Sequence, residues 1–201
     1  MPLSVAAQPI IAALGDSLTQ GYGLPQDEGF VPTLETWLHA RGETAMILNA
    51  GVSGDTTAGG VSRIDWTLTD DVDGLIVTLG GNDLLRGLAP ETSRANLAAI
   101  LDTAQAKGVP VLLVGMQAPA NYGPDYQTTF DAIYPDLAAV YGVLLAPSFL
   151  QPLINATGSE DEARRLYLQA DGIHPNAEGV RVIVDALGPD VQRLIAAIGP
   201  E

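Results

Sequence analysis

The sequence contains no cysteine, only two histidines, few basic residues and no long hydrophobic run. The absence of cysteine excludes a thiolate nucleophile, thiolate metal ligands and disulfide bonds, but it leaves the cellular compartment open. A transition-metal site would have to be built mostly from carboxylates, so we expect no metal site. Of the histidines, His39 lies on a predicted helix away from the strand ends and is expected to be a solvated or packing residue.

Positive charge is scarce: the chain of 201 residues has 9 Lys and Arg residues against 24 Asp and Glu residues, which gives a net charge of -15. Such a surface repels nucleic-acid phosphates and anionic membrane surfaces, so we expect no nucleic-acid partner. The longest apolar run, residues 109–116, is far shorter than the ~20 residues that a membrane-spanning helix needs. We therefore expect no integral membrane segment.

The cellular location is less determined. Residues 1–10 contain no Lys or Arg of the kind that begins a signal peptide. The sequence leaves open whether an export signal has been removed. Strong acidity suits the periplasm or a saline medium. We expect a periplasmic or secreted protein, with the cytoplasm as the alternative. The oligomeric state is not predicted.

The composition, with 47% hydrophobic and 16% charged residues, is typical of one globular domain, expected to span residues 1–201. Five short apolar runs predict buried strands: residues 10–14, 45–48, 75–79, 109–116 and 143–145. Stretches with helical spacing separate them. Regular alternation of apolar strands and helices predicts an α/β fold, a three-layer α/β/α sandwich around a parallel sheet of about five strands.

The second half of the chain carries further expectations. Residues 117–127, with Pro119, Gly123 and Pro124, are interpreted as a long loop, and residues 147–161 as a second irregular stretch. Apolar spacing over residues 130–140 predicts one helix. A terminal helix is predicted after Asn176, which is a plausible cap, with apolar positions that dock on the sheet: Val180, Ile183, Val184 and Leu187.

Four short segments carry polar residues suited to acyl transfer: Gly15-Asp16-Ser17-Leu18, Ser53-Gly54-Asp55, Gly80-Gly81-Asn82-Asp83 and Asp171-Gly172-Ile173-His174-Pro175. The first three follow the first three predicted strands. Because ligands of parallel α/β sheets bind beyond the carboxyl ends of the strands, we expect these segments to converge there.

Each segment alone also has an ordinary structural explanation. Ser17 can be a nucleophile or a helix N-cap. His174, three residues after Asp171, can be a base oriented by a carboxylate or a surface residue. Gly54 and Asn82 can donate to an oxyanion or merely form turns.

Taken together, the four segments resemble in order and spacing the four conserved blocks of the SGNH (GDSL) hydrolases, which have a flavodoxin-like fold. The resemblance is strongest to the bacterial arylesterase, thioesterase I and lysophospholipase branch. It implies Ser17 as nucleophile, His174 as general base and then acid, and Asp171 as the orienting carboxylate. It also implies an oxyanion hole formed by the Ser17 and Gly54 N–H groups and the Asn82 amide, with no cofactor.

The implied activity is hydrolysis of small-molecule carboxylic esters through an acyl-Ser17 intermediate. Aryl and short-to-medium acyl esters are the expected substrates, and acyl thioesters and lysophospholipids are further candidates. One alternative is a carbohydrate O-deacetylase, although aromatic residues for sugar stacking are few at 5%. The other is a non-catalytic binding domain on the same fold.

Two groups of residues near the segments need separate interpretation. Five are expected either to line an acyl groove or to seal the core beneath their loops: Leu84, Leu85, Met116, Pro119 and Tyr122. Asp16, Asp55 and Asp83 are expected to be hydrogen-bonded loop supports rather than catalytic acids.

Overall fold

The computed structural model describes residues 8–199, in which strands and helices alternate along the chain. The strands are β1 (Ile10–Gly15), β2 (Met46–Gly51), β3 (Gly74–Thr78), β4 (Val111–Val114) and β5 (Leu144–Ala146). All five predicted strands are present, with ends shifted by at most three residues.

Ten α-helices are present in the described residues: α1 (Ser17–Gln20), α2 (Phe30–His39), α3 (Thr57–Thr67), α4 (Gly81–Leu85), α5 (Pro90–Ala106), α6 (Pro124–Asp131), α7 (Ile133–Tyr141), α8 (Gln151–Thr157), α9 (Glu160–Tyr167) and α10 (Ala177–Ala197). Two short 3-10 turns cover Gln26–Glu28 and Ala120–Tyr122.

The strands form one parallel sheet in the order β2-β1-β3-β4-β5. Helices α2 and α10 pack on each other and against one face, whereas α3, α5 and α7 pack on the other. The predicted three-layer α/β/α architecture is therefore confirmed. The chain reverses its direction of travel across the sheet between β1 and β3, which is where such sheets form a crevice.

Burial explains the apolar strands. Every residue of β3 and β4 is buried, because helices cover both faces of the sheet. Strand β2 departs from this pattern, since Met46 is 39% and Leu48 40% exposed. Its position at the sheet edge leaves one of its faces partly uncovered.

The expectation of one helix over residues 130–140 is wrong. The structure has two helices, α6 and α7, that meet at Ala132, and Val140 is 77% exposed. Pro135 lies in the first turn of α7, where its missing N–H costs no intrahelical hydrogen bond. In a continuous helix the same proline would remove one.

The two regions expected to be irregular are also more ordered than predicted. Residues 117–127 contain the 3-10 turn and the start of α6, and residues 147–161 contain α8 and the start of α9. Pro124 and Pro152 both occupy the first turn of a helix, where proline is favoured rather than disruptive.

The terminal helix agrees with the sequence. Its four predicted apolar positions are at most 4% exposed, and the Asn176 side chain accepts a hydrogen bond of 2.9 Å from the N–H of Gly179. No helix described between residues 8 and 199 is long and apolar enough to cross a membrane.

The sheet register brings the loops after β1, β2 and β3 to one level. Gly15 pairs with Gly51 on one side and with Thr78 on the other. At Gly51 a Cβ atom would lie 2.3 Å from the backbone nitrogen of Gln20, so only glycine lets α1 pack across the end of β2. This packing places Ser17, the first residue of α1, above the sheet edge.

Candidate active site

Ser17 is the first residue of α1, and only Asp16 separates it from the end of β1. The N-cap of this helix is Asp16, whose Oδ1 accepts a hydrogen bond of 3.0 Å from the N–H of Leu18. The interpretation of Ser17 as the N-cap is therefore wrong, because Asp16 performs that role. The Ser17 hydroxyl is left to make another contact.

Asp171 and His174 are held by one tight loop. The Asp171 Oδ1 atom accepts hydrogen bonds from the N–H groups of Ile173 at 2.9 Å and His174 at 3.0 Å. Between them Gly172 has a φ of +69°, which favours glycine. The hydrogen bond with the His174 ring, together with these two backbone donors, lowers the pKa of Asp171 to about 2. The carboxylate is therefore ionised at any ordinary assay pH.

The imidazole of His174 joins Asp171 to Ser17. Its Nδ1 atom lies 2.7 Å from Asp171 Oδ2, and its Nε2 atom lies 2.8 Å from Ser17 Oγ. Because an ionised carboxylate can only accept, the neutral ring carries its proton on Nδ1. Nε2 is then an acceptor, and the Ser17 hydroxyl donates to it. This geometry suits proton removal from the serine during attack on a carbonyl carbon.

The three residues expected to donate to an oxyanion, Ser17, Gly54 and Asn82, line one cavity. Across residues 8–199, the backbone N–H groups of Ser17 and Gly54 have no protein acceptor. Gly54 adopts a φ of +82°, so its backbone conformation favours glycine, whereas the space around it would admit a Cβ atom. Asn82 lies in the first turn of α4, shortly after β3, and its Nδ2 donates to Asp16 Oδ2 at 3.1 Å.

A cavity of about 820 Å³ opens beside these groups and is lined by Ser17, Gly54, Asn82 and His174. All five residues expected near an acyl groove also line it: Leu84, Leu85, Met116, Pro119 and Tyr122. Leu84 and Met116 are only 7% and 5% exposed and belong to the core as well, whereas Leu85 is 60% exposed.

The other carboxylates near the site support loops, as expected. Asp55 accepts a hydrogen bond of 2.6 Å from Arg63 Nε. Asp83 is fully buried and accepts from the Thr57 N–H at 2.9 Å and from the Thr57 and Ser93 hydroxyls. In the part of the chain that the structure describes, neither carboxylate bonds to His174.

Two arginines that the sequence interpretation missed support the same loops. Arg63 donates to the carbonyls of Ala50 and Gly15, at the ends of β2 and β1, as well as to Asp55. Arg86 donates to the Gly54 carbonyl at 2.6 Å. Both act on backbone carbonyls, which leave no trace in a sequence motif. Their only signal is that Lys and Arg are rare in this chain.

His39 lies at the exposed end of α2 and does not line the cavity. Within residues 8–199, no three His, Asp or Glu side chains are grouped so that they could hold a metal ion.

Tyr22 is a further residue that the sequence interpretation missed, and it covers His174. The two ring centroids are 4.6 Å apart with the planes tilted by 37°. We expect Tyr22→Ala to lower kcat/KM about two- to fivefold, because an aromatic face stabilises the imidazolium that forms during reaction. Tyr22→Phe keeps the ring and should stay close to wild type in an ester assay. An equal loss in both variants would instead implicate the hydroxyl.

Comparison with known proteins places this geometry in a family. The sequence model of the GDSL-like Lipase/Acylhydrolase family matches residues 13–182. Esterase TesA of Pseudomonas aeruginosa is 37% identical over 191 residues, covering 94% of this chain and 91% of that protein. The Thioesterase 1/protease 1/lysophospholipase L1 of Escherichia coli is 34% identical over 94% of this chain and 86% of that protein.

Solved structures agree with the sequence comparison. AlinE4, described as an SGNH-hydrolase family esterase, superposes with a TM-score of 0.74 at 44% identity, covering 94% of this chain and 98% of that one. The family match extends from β1 into α10 and includes Ser17, Gly54, Asn82, Asp171 and His174. The chain belongs to the GDSL-like lipase/acylhydrolase family.

Proposed function

We propose that the protein is a serine esterase that hydrolyses carboxylic esters through an acyl-Ser17 intermediate. One observation carries the proposal: Ser17 Oγ, His174 and Asp171 form a continuous hydrogen-bonded chain whose serine end opens into a largely apolar cavity. Family membership and relatives named as an esterase and a thioesterase support the same activity. The complete set of groups does not favour a non-catalytic binding domain.

In the proposed reaction, Ser17 Oγ attacks the ester carbonyl carbon while His174 Nε2 takes its proton. The N–H groups of Ser17 and Gly54 and the Asn82 amide stabilise the negative charge on the carbonyl oxygen. His174 then gives the proton to the departing alcohol, which leaves an acyl-Ser17 ester. Water attacks this ester by the same route, with His174 again as base, and releases the acid.

For the substrate we propose aryl and short-to-medium acyl esters, with acyl thioesters and lysophospholipids as further candidates. The apolar cavity wall favours acyl chains over the polyhydroxylated surface of a sugar. This weighs against the carbohydrate O-deacetylase. The charge of -15 gives no reason to expect a nucleic-acid partner.

The activity is tested with p-nitrophenyl esters from acetate to palmitate, with palmitoyl-CoA and an acetylated xylan assayed in parallel. We expect turnover of the nitrophenyl esters that depends on Ser17. Release of acetate from xylan without turnover of the simple esters would establish the deacetylase instead. Folded protein that hydrolyses none of these substrates and is not labelled by a serine-reactive phosphonate would contradict the proposed esterase activity.

The cavity wall predicts different results for two adjacent leucines. Leu85→Ala should lower kcat/KM for long esters severalfold more than for acetate, with little change in stability, because Leu85 is 60% exposed and lines the cavity. Leu84→Ala should lower the free energy of unfolding by about 2–4 kcal/mol, because Leu84 is buried. Chain-length profiles and urea unfolding of both variants provide the measurement. An unchanged profile in Leu85→Ala would show that this residue does not contact the acyl chain.

We also propose that the enzyme works in the periplasm or outside the cell, because its acidity suits such compartments. Fractionation of the source cells, followed by an immunoblot for the chain, tests this. Recovery only with cytoplasmic markers would contradict it.

A further inference from the structure

Asp16 is a buried carboxylate between the end of β1 and the first turn of α4. It is 1% exposed, and across residues 8–199 it forms no salt bridge. One oxygen accepts from the N–H of Leu18 at 3.0 Å, and the other accepts from Asn82 Nδ2 at 3.1 Å. Asp16 therefore bonds to the residue after the Ser17 nucleophile and to the side chain proposed to bind the oxyanion.

Burial of the ionised Asp16 carboxylate destabilises the folded protein near pH 8, where an esterase would be assayed. Burial raises the pKa of Asp16 from 3.8 to about 6, although the bonds from Leu18 and Asn82 and the nearby His174 act in the opposite direction. A raised pKa in the folded state means that stability is fully present below about 3.8 and is lost as the pH rises through about 6. At pH 8 the ionised carboxylate is therefore a destabilising group. Capping of α1 alone does not require a carboxylate, because Asn and Ser cap equally well.

What a neutral cap cannot do is orient Asn82. A side-chain amide has a donor end and an acceptor end that are nearly equal in shape, so its orientation depends on its neighbours. An ionised carboxylate only accepts, so it binds the nitrogen end of Asn82 and repels the oxygen end. The bound nitrogen carries a second hydrogen, which remains available for the substrate oxygen.

We propose that Asp16 is a positioning residue that holds the Asn82 amide with its nitrogen, rather than its oxygen, directed to the oxyanion hole. The inference rests on the proposed esterase function for the reaction that the hole serves. It explains why a charged residue is buried one position before the nucleophile. It also assigns to Asp16 a role in the transition state rather than in substrate binding.

The matched variant is Asp16→Asn, which keeps the size and can still cap α1 through its oxygen. Its own NH₂ group would then face Asn82 and favour the flipped amide. We expect kcat to fall about 10- to 100-fold with KM within about twofold, since loss of an oxyanion donor costs about 10²- to 10³-fold. The thermal midpoint at pH 8 should not fall, because a buried charge is removed. A purely structural role would instead lower the midpoint.

A double-mutant cycle with Asn82→Ala tests whether Asp16 affects turnover through Asn82. If Asp16 acts through Asn82, Asp16→Asn should cost less than about threefold in the Asn82→Ala background. Asp73→Asn is the control, because Asp73 also accepts from a backbone N–H, that of Ile10 at 2.7 Å, but at the opposite edge of the sheet. Full additivity of Asp16→Asn and Asn82→Ala, or an effect confined to KM, would overturn the proposal.

The side-chain amide of Asn82 gives a readout that needs no turnover. Its ¹⁵N–¹H signals are identified by their loss in Asn82→Ala, and at pH 8 the proton bonded to Asp16 should exchange slowly with solvent. We expect that protection to disappear in Asp16→Asn and to survive in Asp73→Asn. Protection that persists in Asp16→Asn overturns the proposal. A wild-type protein that shows this pattern but hydrolyses no ester would contradict the proposed function alone.

Discussion

Replacement of Ser17 by alanine is expected to lower kcat/KM for p-nitrophenyl esters by about four to six orders of magnitude. The variant keeps the imidazole, the carboxylate and the cavity, but it lacks the oxygen that lies 2.8 Å from His174 Nε2. Without that atom no acyl-enzyme can form. The oxyanion donors and substrate binding leave only a small residual rate.

The fold should tolerate this change, because the residue that caps α1 is Asp16. We expect the thermal midpoint of Ser17→Ala to stay near that of wild type, with labelling by a fluorescent phosphonate lost. Ser62→Ala is the matched control, since Ser62 is exposed on α3 and donates only to the Gly59 carbonyl. Retained labelling in Ser17→Ala would mean that another residue is the nucleophile.

Replacement of Asp171 by asparagine is expected to lower kcat about 10⁴-fold while leaving KM nearly unchanged. Asparagine can still accept from the N–H groups of Ile173 and His174 through its oxygen, so the loop is preserved. Its NH₂ group then faces His174 Nδ1 and favours the tautomer with the proton on Nε2. In that tautomer the ring cannot take the Ser17 proton.

Two measurements check the assignment of Asp171. Asp161→Asn, an exposed carboxylate in α9, should hydrolyse esters at the wild-type rate. Because the pKa of Asp171 is lowered to about 2, its stabilising contribution is present above about 3.8 and is lost as the pH falls through about 2. The stability difference between wild type and Asp171→Asn should close over that range. Full turnover by Asp171→Asn, with turnover abolished in folded Asp55→Asn or Asp83→Asn, would show that the acid lies elsewhere.

The sequence predicts the architecture because its physical signal is strong. Strands buried on both faces, such as β3 and β4, must be continuously apolar, and this pattern is visible without any structure. Helix boundaries are less predictable where proline occurs, since Pro124 and Pro152 look like breaks but begin helices. The apolar run over residues 45–48 likewise predicts more burial than the edge strand β2 has.

The site is predictable only in part, for a related reason. Ser17 and Asn82 follow β1 and β3, so strand order alone brings them to one end of the sheet. His174 is predicted from its spacing to Asp171 instead, since no strand precedes it directly. The contact of Tyr22 with His174 depends on how the turn after α1 is folded, and no spacing rule encodes it. Arg63 and Arg86 act through backbone carbonyls, and any residue at those positions would supply the same acceptor.

The hydrogen bond between Ser17 and His174 joins residues 157 positions apart. The proposed nucleophile and oxyanion donors, Ser17, Gly54 and Asn82, all precede α5, whereas the proposed base and its carboxylate directly precede α10, which packs on α2. During synthesis the serine is therefore made long before the base, and also before cavity-lining residues of the second half such as Leu150 and Ile154. Esterase activity therefore requires synthesis at least as far as His174 and folding of the loop before α10, and a chain that stops short of that loop keeps Ser17 but lacks the base.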